Sequence, residues 1–228
     1  MKRSIITPAI AMLFVFLAMD LSAQYSVGVR AGLNRANVHF EELAIDPTTR
    51  YRNMFSAAVF AEIPIENGFY FQPELAYTQK GFLFREGYDF DVLSFPVTAG
   101  ISARTRLDYI EAPMLLKYKA DLGAVKVYGM AGPYAGYAQQ GEVRLSTNLL
   151  VEIPVYTYDI PLSSNTYQRW EFGAAAGAGI AIPLGPIEIF TEGRYQTAFT
   201  NFFKDPIIEG RMKNHGFQWN FGISVPLN

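Results

Sequence analysis

The chain has 228 residues, with 19 basic and 21 acidic side chains and a net charge of −2, which gives no electrostatic basis for a nucleic-acid partner. Cysteine is absent, so neither a disulfide framework nor a thiolate metal site can form. Half of the residues are hydrophobic and only 18% are charged, yet beyond the first two dozen residues no apolar run could make a spanning helix.

The chain opens with Met1-Lys2-Arg3, a positive segment followed by an apolar core over 5–19 and by Leu21-Ser22-Ala23 before Gln24. That order predicts a signal peptide over 1–23, cleaved on export, and a single domain over 24–228. From Tyr25 onward, apolar residues recur at every second position. Tyr25, Val27, Val29, Ala31 and Leu33 share one face of a first strand, and Ser26, Gly28, Arg30, Gly32 and Asn34 the other. After a polar stretch over 39–53, a second strand sets Phe55, Ala57, Val59, Ala61 and Ile63 against Ser56, Ala58, Phe60 and Glu62.

A short turn over 64–68 leads to a third strand, with Phe69, Phe71, Leu75 and Tyr77 opposite Tyr70, Gln72, Glu74, Ala76, Thr78 and Lys80. A long connection over 84–104 follows. The fourth strand reads Ile110, Ala112, Met114, Leu116 and Tyr118 against Tyr109, Glu111, Pro113, Leu115 and Lys117, and it ends in a tight turn at 121–123. The fifth strand, 125–138, has two faces of similar character, and the pattern leaves open which of them points outward.

The longest connection, 141–168, contains a β-prone portion at 151–158 that predicts a hairpin projecting beyond the barrel. The sixth strand sets Trp170, Phe172, Ala174, Ala176, Ala178 and Ile180 against Glu171, Gly173, Ala175, Gly177 and Gly179. The turn at 183–186 leads into a seventh, with Glu188, Phe190, Glu192, Arg194 and Gln196 opposite Ile187, Ile189, Thr191, Gly193 and Tyr195. A last long connection, 200–215, precedes the eighth, where Phe217, Trp219, Phe221, Ile223, Val225 and Leu227 face away from Gln218, Asn220, Gly222 and Ser224.

Eight strands of about ten residues, with connections alternating long and short, predict an all-β fold. The expected architecture is an eight-stranded antiparallel up-and-down transmembrane β-barrel with short periplasmic turns and long extracellular loops, in the cell outer membrane. Such a bore is just wide enough for side chains to fill. Charges there survive only when paired, so Arg30, Glu62, Glu74, Glu111, Lys117, Glu192 and Arg194 are expected to form an interior polar network, with Lys80 and Glu188 on the same face. Trp170, Trp219, Tyr195 and Tyr77 are candidates for the outer aromatic girdle, and Tyr25 and Phe69 for the inner one. A soluble lipocalin-like barrel would reverse the faces. The bulky rings would then overfill a small cavity, and the outer surface would lack the scattered Lys and Glu of soluble barrels.

Three segments resemble the PorT-like outer-membrane β-barrel family of Bacteroidetes. They are Tyr25-Ser26-Val27-Gly28-Val29-Arg30-Ala31-Gly32-Leu33-Asn34, Tyr109-Ile110-Glu111-Ala112-Pro113-Met114-Leu115-Leu116-Lys117-Tyr118 and Tyr128-Gly129-Met130-Ala131-Gly132-Pro133-Tyr134. The resemblance spans the mature chain and implies an eight-stranded outer-membrane barrel. Some members are linked to protein secretion and gliding machinery, a link these motifs do not carry over.

No nucleophile elbow, phosphate loop, zinc-binding His-Glu-x-x-His or calcium loop occurs. The two histidines, His39 and His215, end the first strand and precede the eighth, so barrel closure would bring both to the outer rim. The expectation is a non-enzymatic binding, structural or secretion-accessory barrel without cofactor or metal. Its partners would be outer-membrane lipid or lipopolysaccharide, and a protein contacted through the extracellular loops. The alternative is a barrel enzyme modifying outer-membrane lipid, which would need a histidine with serine or a carboxylate at the lipid-facing rim.

Overall fold

The computed structural model describes residues 25–41, 49–50, 52–92, 95–149, 152–160, 162, 168–201 and 211–227. The expected signal peptide, 1–23, lies outside these residues. Eleven strands occur among them: β1 (Tyr25–Glu41), β2 (Thr49–Arg50), β3 (Arg52–Pro64), β4 (Phe69–Lys80), β5 (Leu83–Val92), β6 (Phe95–Asp121), β7 (Lys126–Leu149), β8 (Glu152–Asp159), β9 (Trp170–Leu184), β10 (Ile187–Ala198) and β11 (Arg211–Leu227). Eight of these form a closed ring in the order β1-β3-β4-β6-β7-β9-β10-β11, each antiparallel to its neighbours. Closure comes from the pairing of β1 with β11, which runs without interruption from Tyr25↔Leu227 to Glu41↔Arg211. A closed ring leaves none of its strands with an unpaired edge in lipid.

The short turns lie where the sequence places them. In the β3–β4 turn the Phe69 amide donates to the Glu66 carbonyl (2.9 Å), and in the β6–β7 turn the Leu122 amide donates to the Val125 carbonyl (2.9 Å). Gly123, at φ 90°, supplies a backbone angle there that a residue with a side chain rarely adopts.

Two expected long connections contain more structure than their composition suggests. The stretch 84–104 is not a loop. It holds most of β5 and the first ten residues of β6, paired from Leu83↔Arg104 to Val92↔Phe95. Likewise β7 continues through 139–149, and the expected strand near 151–158 is β8, paired with 142–148 of β7. The ring neighbours β4 and β9 stop pairing at Lys80↔Leu107 and Tyr137↔Trp170, whereas β6 and β7 stay paired to Ala99↔Leu149. Above that level β5-β6-β7-β8 form a sheet standing beyond the barrel on the long-connection side. Phe84, Tyr88, Phe90 and Val92 alternate with Arg85, Gly87, Asp89 and Asp91 along β5, a period of two interrupted only by Glu86.

The two faces of the ring sort as the alternation requires. Phe221 is 62% and Leu33 59% exposed on the outer wall, while Arg30 and Glu74 are 2% and 3% exposed inside. This wall is the one a lipocalin-like fold would bury, and the reversed assignment is therefore discarded. The face of 125–138 left open by the sequence is also decided: Tyr128, Met130 and Tyr134 point inward, and Val127, Gly129 and Ala131 outward.

Phe221, between Ala31 and Thr191 at the middle of the wall, is predicted to tolerate arginine poorly. Phe221→Arg should lower stability by about 2–4 kcal/mol, the usual cost of a lipid-facing arginine near mid-depth. Tyr156→Arg on exposed β8 should change it by under about 0.5 kcal/mol. Urea unfolding of the refolded protein in phospholipid vesicles measures both, and equal losses would contradict the assignment of the wall.

Candidate functional site in the ion-paired lumen and its outer mouth

Inward-pointing side chains of the ring fill the bore in successive levels. At the centre Glu74 of β4 accepts from two arginines on opposite sides. Arg30 of β1 reaches its Oε2 through Nη2 at 2.9 Å and through Nε at 3.2 Å. Arg194 of β10 approaches as a fork, Nη1 to Oε2 at 2.9 Å and Nη2 to Oε1 at 2.8 Å. A planar guanidinium matches a carboxylate in this two-point manner, which fixes geometry as well as charge. Glu192 neutralises the second arginine, its Oε1 lying 2.5 Å from Arg194 Nε. Tyr128 donates to Glu192 Oε2 at 3.0 Å, and Asn220 accepts from Arg30 Nη1 at 3.1 Å.

Toward the outer mouth a lysine bridges two carboxylates. Lys80 Nζ lies 2.6 Å from Glu111 Oε1 and also pairs with Glu171. Glu171 accepts further from Tyr134 (2.9 Å) and Asn214 (2.6 Å), and Glu111 from Thr78 (3.0 Å). Toward the short turns, Glu62 pairs with Lys117 (2.6 Å) and Lys119 (2.7 Å), and Glu188 with Lys119 (2.7 Å) and Lys126 (2.9 Å). An apolar layer of Phe60, Leu115, Tyr128, Met130 and Phe190 lies between this group and the central one, with the rings of Phe60 and Phe190 edge to face at 5.6 Å.

All seven side chains singled out for the interior network are thus inside the barrel and buried: Arg30, Glu74, Glu192 and Arg194 at the centre, Glu111 above, and Glu62 and Lys117 below. Glu171, Lys119, Lys126, Tyr128 and Tyr134 also belong to the network and are not among the seven expected members. Glu171 carries the signal that could have found it, since it shares the glycine-rich face of its strand. Lys119 lies just past the expected strand end. The two tyrosines were hidden by the ambiguity of 125–138.

That glycine-rich face of β9 makes room for its neighbours. A Cβ on Gly177 would come within 2.9 Å of Arg194 Cγ, and one on Gly173 within 2.6 Å of Tyr134 Cε1. Small residues on one strand accept large polar side chains from the next.

At the mouth a shallow cavity is lined by Asn34, Lys80, Tyr134, Gln196, Asn214 and His215. Beside it Ile160 and Leu162, from the segment after β8, pack on Leu107, Tyr109 and Ala138. The two histidines occupy neighbouring positions of one strand pair, His215 opposite Asn37 and His39 opposite Lys213. Across β10 the partner of His215 is Thr197. Neither cross-strand neighbour of His215 is a carboxylate or a serine. Ser56 is fully buried in the lumen between Arg30 and Thr78. Among the described residues no three His, Cys, Asp or Glu side chains gather in a way that could hold a metal ion.

The central level should dominate stability. Glu74→Gln leaves two buried arginines facing a neutral amide and is expected to cost about 3–5 kcal/mol, the usual penalty for breaking a buried ion pair from one side. Glu188→Gln, at the partly exposed end of the lumen, should cost less than half as much. Urea unfolding in vesicles checks the pair, and similar losses would mean that the central level has no special weight.

Residues 21–204 match the family described as outer membrane protein beta-barrel domain. No curated protein matches the chain. Among solved structures, Neisserial surface protein A is similar with a TM-score of 0.44 and 14% identity, over 89% of this chain and 97% of its own. A major outer membrane protein of Thermus thermophilus gives 0.46 and 12%, over 90% and 100%. The outer membrane protease OmpT of Escherichia coli gives 0.40 and 8%, over 90% and 94%. Likeness at this level carries no argument about this chain, and one of these barrels is a protease. With a closed eight-stranded ring, a lipid-facing outer wall and a family match over most of its length, the chain belongs to the outer membrane protein beta-barrel domain family and resides in the outer membrane.

Proposed function

We propose that this protein is a non-enzymatic outer-membrane barrel whose long-loop side binds a partner, and whose interior network is structural rather than a proton or ion path. The observation that carries this reading is the state of the lumen: its buried charges are engaged with one another, and aromatic and aliphatic side chains fill the space between them. A bore filled in this way offers little passage to solutes. Export by a cleaved signal over 1–23 completes the reading, and the motifs at 25–34, 109–118 and 128–134 favour a PorT-like barrel of Bacteroidetes type.

Binding is then left to the ends of the barrel. The sheet β5-β6-β7-β8 is the largest described feature beyond the ring, and it carries Tyr156 and Tyr158 exposed on β8. Tyrosines present wide, rigid contact area at low entropic cost, as binding surfaces require. The partner on this reading is a protein at the cell surface.

Affinity capture from intact membranes with the full-length barrel tests the proposal. The protein retained by the intact barrel should be lost when 146–156 is replaced by a short Gly-Ser turn, while the heat-dependent gel mobility of the folded barrel is kept. Retention of the same protein by the shortened barrel would rule out the end of the β7–β8 hairpin, with Tyr156, as the contact. Steady conductance of the purified barrel in a planar bilayer would overturn the structural role of the lumen.

A further inference from the structure

The sheet beyond the barrel ends in a free edge. β8 pairs with β7 and with no other described strand, whereas β6 and β7 are flanked on both sides. The hydrogen bonds around β8 show which way its backbone points. The Ile160 amide donates to the Gly141 carbonyl (2.8 Å), and these residues stand opposite each other in the register that joins Val143↔Tyr158 and Leu145↔Tyr156. In an antiparallel pair, successive opposed residues alternate between exchanging hydrogen bonds and turning them away. Residues 156, 158 and 160 therefore bond to β7, and Thr157 and Asp159 direct both N–H and C=O to the open side. The bond from the Thr105 amide to the Phe82 carbonyl (3.0 Å) fits the same alternation, since it leaves 104 and 106 of β6 to bond with 144 and 142 of β7.

Among the described residues nothing bonds to that edge, and Tyr156, Thr157, Tyr158 and Asp159 are all exposed. Toward its start the edge is blunted, because Pro154, opposite Ser146, has no N–H to offer. The part open to a further strand is thus the C-terminal half of β8.

Its surroundings select the strand that would fit. Tyr156 and Tyr158 share a face with Leu145 and Val143, their cross-strand partners. On the other face Asp159 stands directly across from Glu142, a like-charge pair that disfavours the sheet. Arg144 pairs with Glu142 at 3.0 Å, and Asp159 has no ion pair among the described residues. A cation from outside would relieve the repulsion. A second copy of this strand would not supply one, since the only charged residues of β8 are Glu152 and Asp159.

We propose that Thr157 and Asp159 of β8 form an acceptor edge for an extended segment of a partner protein, with apolar residues beside the tyrosines and a lysine or arginine beside Asp159. Strand addition of this kind draws affinity from main-chain hydrogen bonds and selectivity from alternate side chains. The site rests on the partner-binding reading of the projecting sheet and names the chemistry of the partner.

The test uses the full mature barrel refolded in nonionic detergent and a fluorescently labelled peptide followed by anisotropy. The probe is an octapeptide of alternating valine and lysine, and its counterpart carries glutamate in place of lysine. Wild-type protein should bind the lysine peptide at least about five-fold more tightly, as an opposite rather than a like charge across the strand allows. Thr157→Pro removes the outward donor without costing a bond to β7, and should weaken the lysine peptide by about ten-fold. Thr157→Ala keeps the donor and should bind like wild type. Asp159→Lys should reverse the order of the two peptides. Equal binding of both peptides by wild type, or no binding of the lysine peptide at millimolar concentration, would overturn the site. So would a Thr157→Pro barrel, shown to be folded by heat-dependent gel mobility, that binds as wild type does. Capture from intact membranes separates the site from the reading beneath it. A partner retained equally by wild type and Thr157→Pro removes the edge and leaves a partner-binding barrel, whereas a wild-type barrel that retains nothing overturns both.

Discussion

Desolvated charge is the constraint on which this structure depends. Glu74 meets it by accepting from Arg30 and Arg194 at once, with Glu192 balancing the second arginine. A carboxylate deprived of water is tolerated only when its lone pairs are satisfied and its charge is opposed. Four strands must therefore be held in one relation to each other, since these residues come from β1, β4 and β10 and are joined by Asn220 of β11. The closed ring and the buried ion network support one another. Slippage of any of these strands by one residue would put charge against lipid.

Packing follows from the same constraint. The bore must be filled with little void, yet long polar side chains need room to reach across it. Glycines on β9 supply that room beside Tyr134 and Arg194, and the phenol of Tyr128 crosses to Glu192. Phe60 and Phe190 close the gap between the central ion pairs and the lysine-rich end. A barrel built this way is a plug with a lipid-facing skin, and its means of acting on other molecules lie in its rim and in the sheet above it. On the rim, arginines of β6 and β7 pair with acidic residues of their own strands.

How much of this could be read beforehand depends on whether a feature is local. Alternation along 25–34 or 217–227 is a property of a few consecutive residues, and it placed Leu33, Trp219 and Phe221 outside and Arg30 and Gln218 inside. Where both faces are neutral, as at 125–138, alternation is silent, because Tyr128 and Val127 suit either side until their neighbours are known. Where charge breaks the alternation, as Glu86 does among Phe84, Tyr88, Phe90 and Val92 of β5, the apolar face is incomplete, and 84–104 reads as a loop.

The amino-acid order by itself determined the fold class, the outward face of most strands, the turns and the kind of residue that fills the bore, because each depends on a period of two and on which residues tolerate lipid. Only the tertiary structure decided which charge meets which, what the fifth barrel strand hides, and how far β6 and β7 rise beyond the ring. The physical reason is separation along the chain: Glu74 finds Arg30 across 44 residues and Arg194 across 120. Contacts of that span are set by strand register and barrel stagger, which no local pattern specifies.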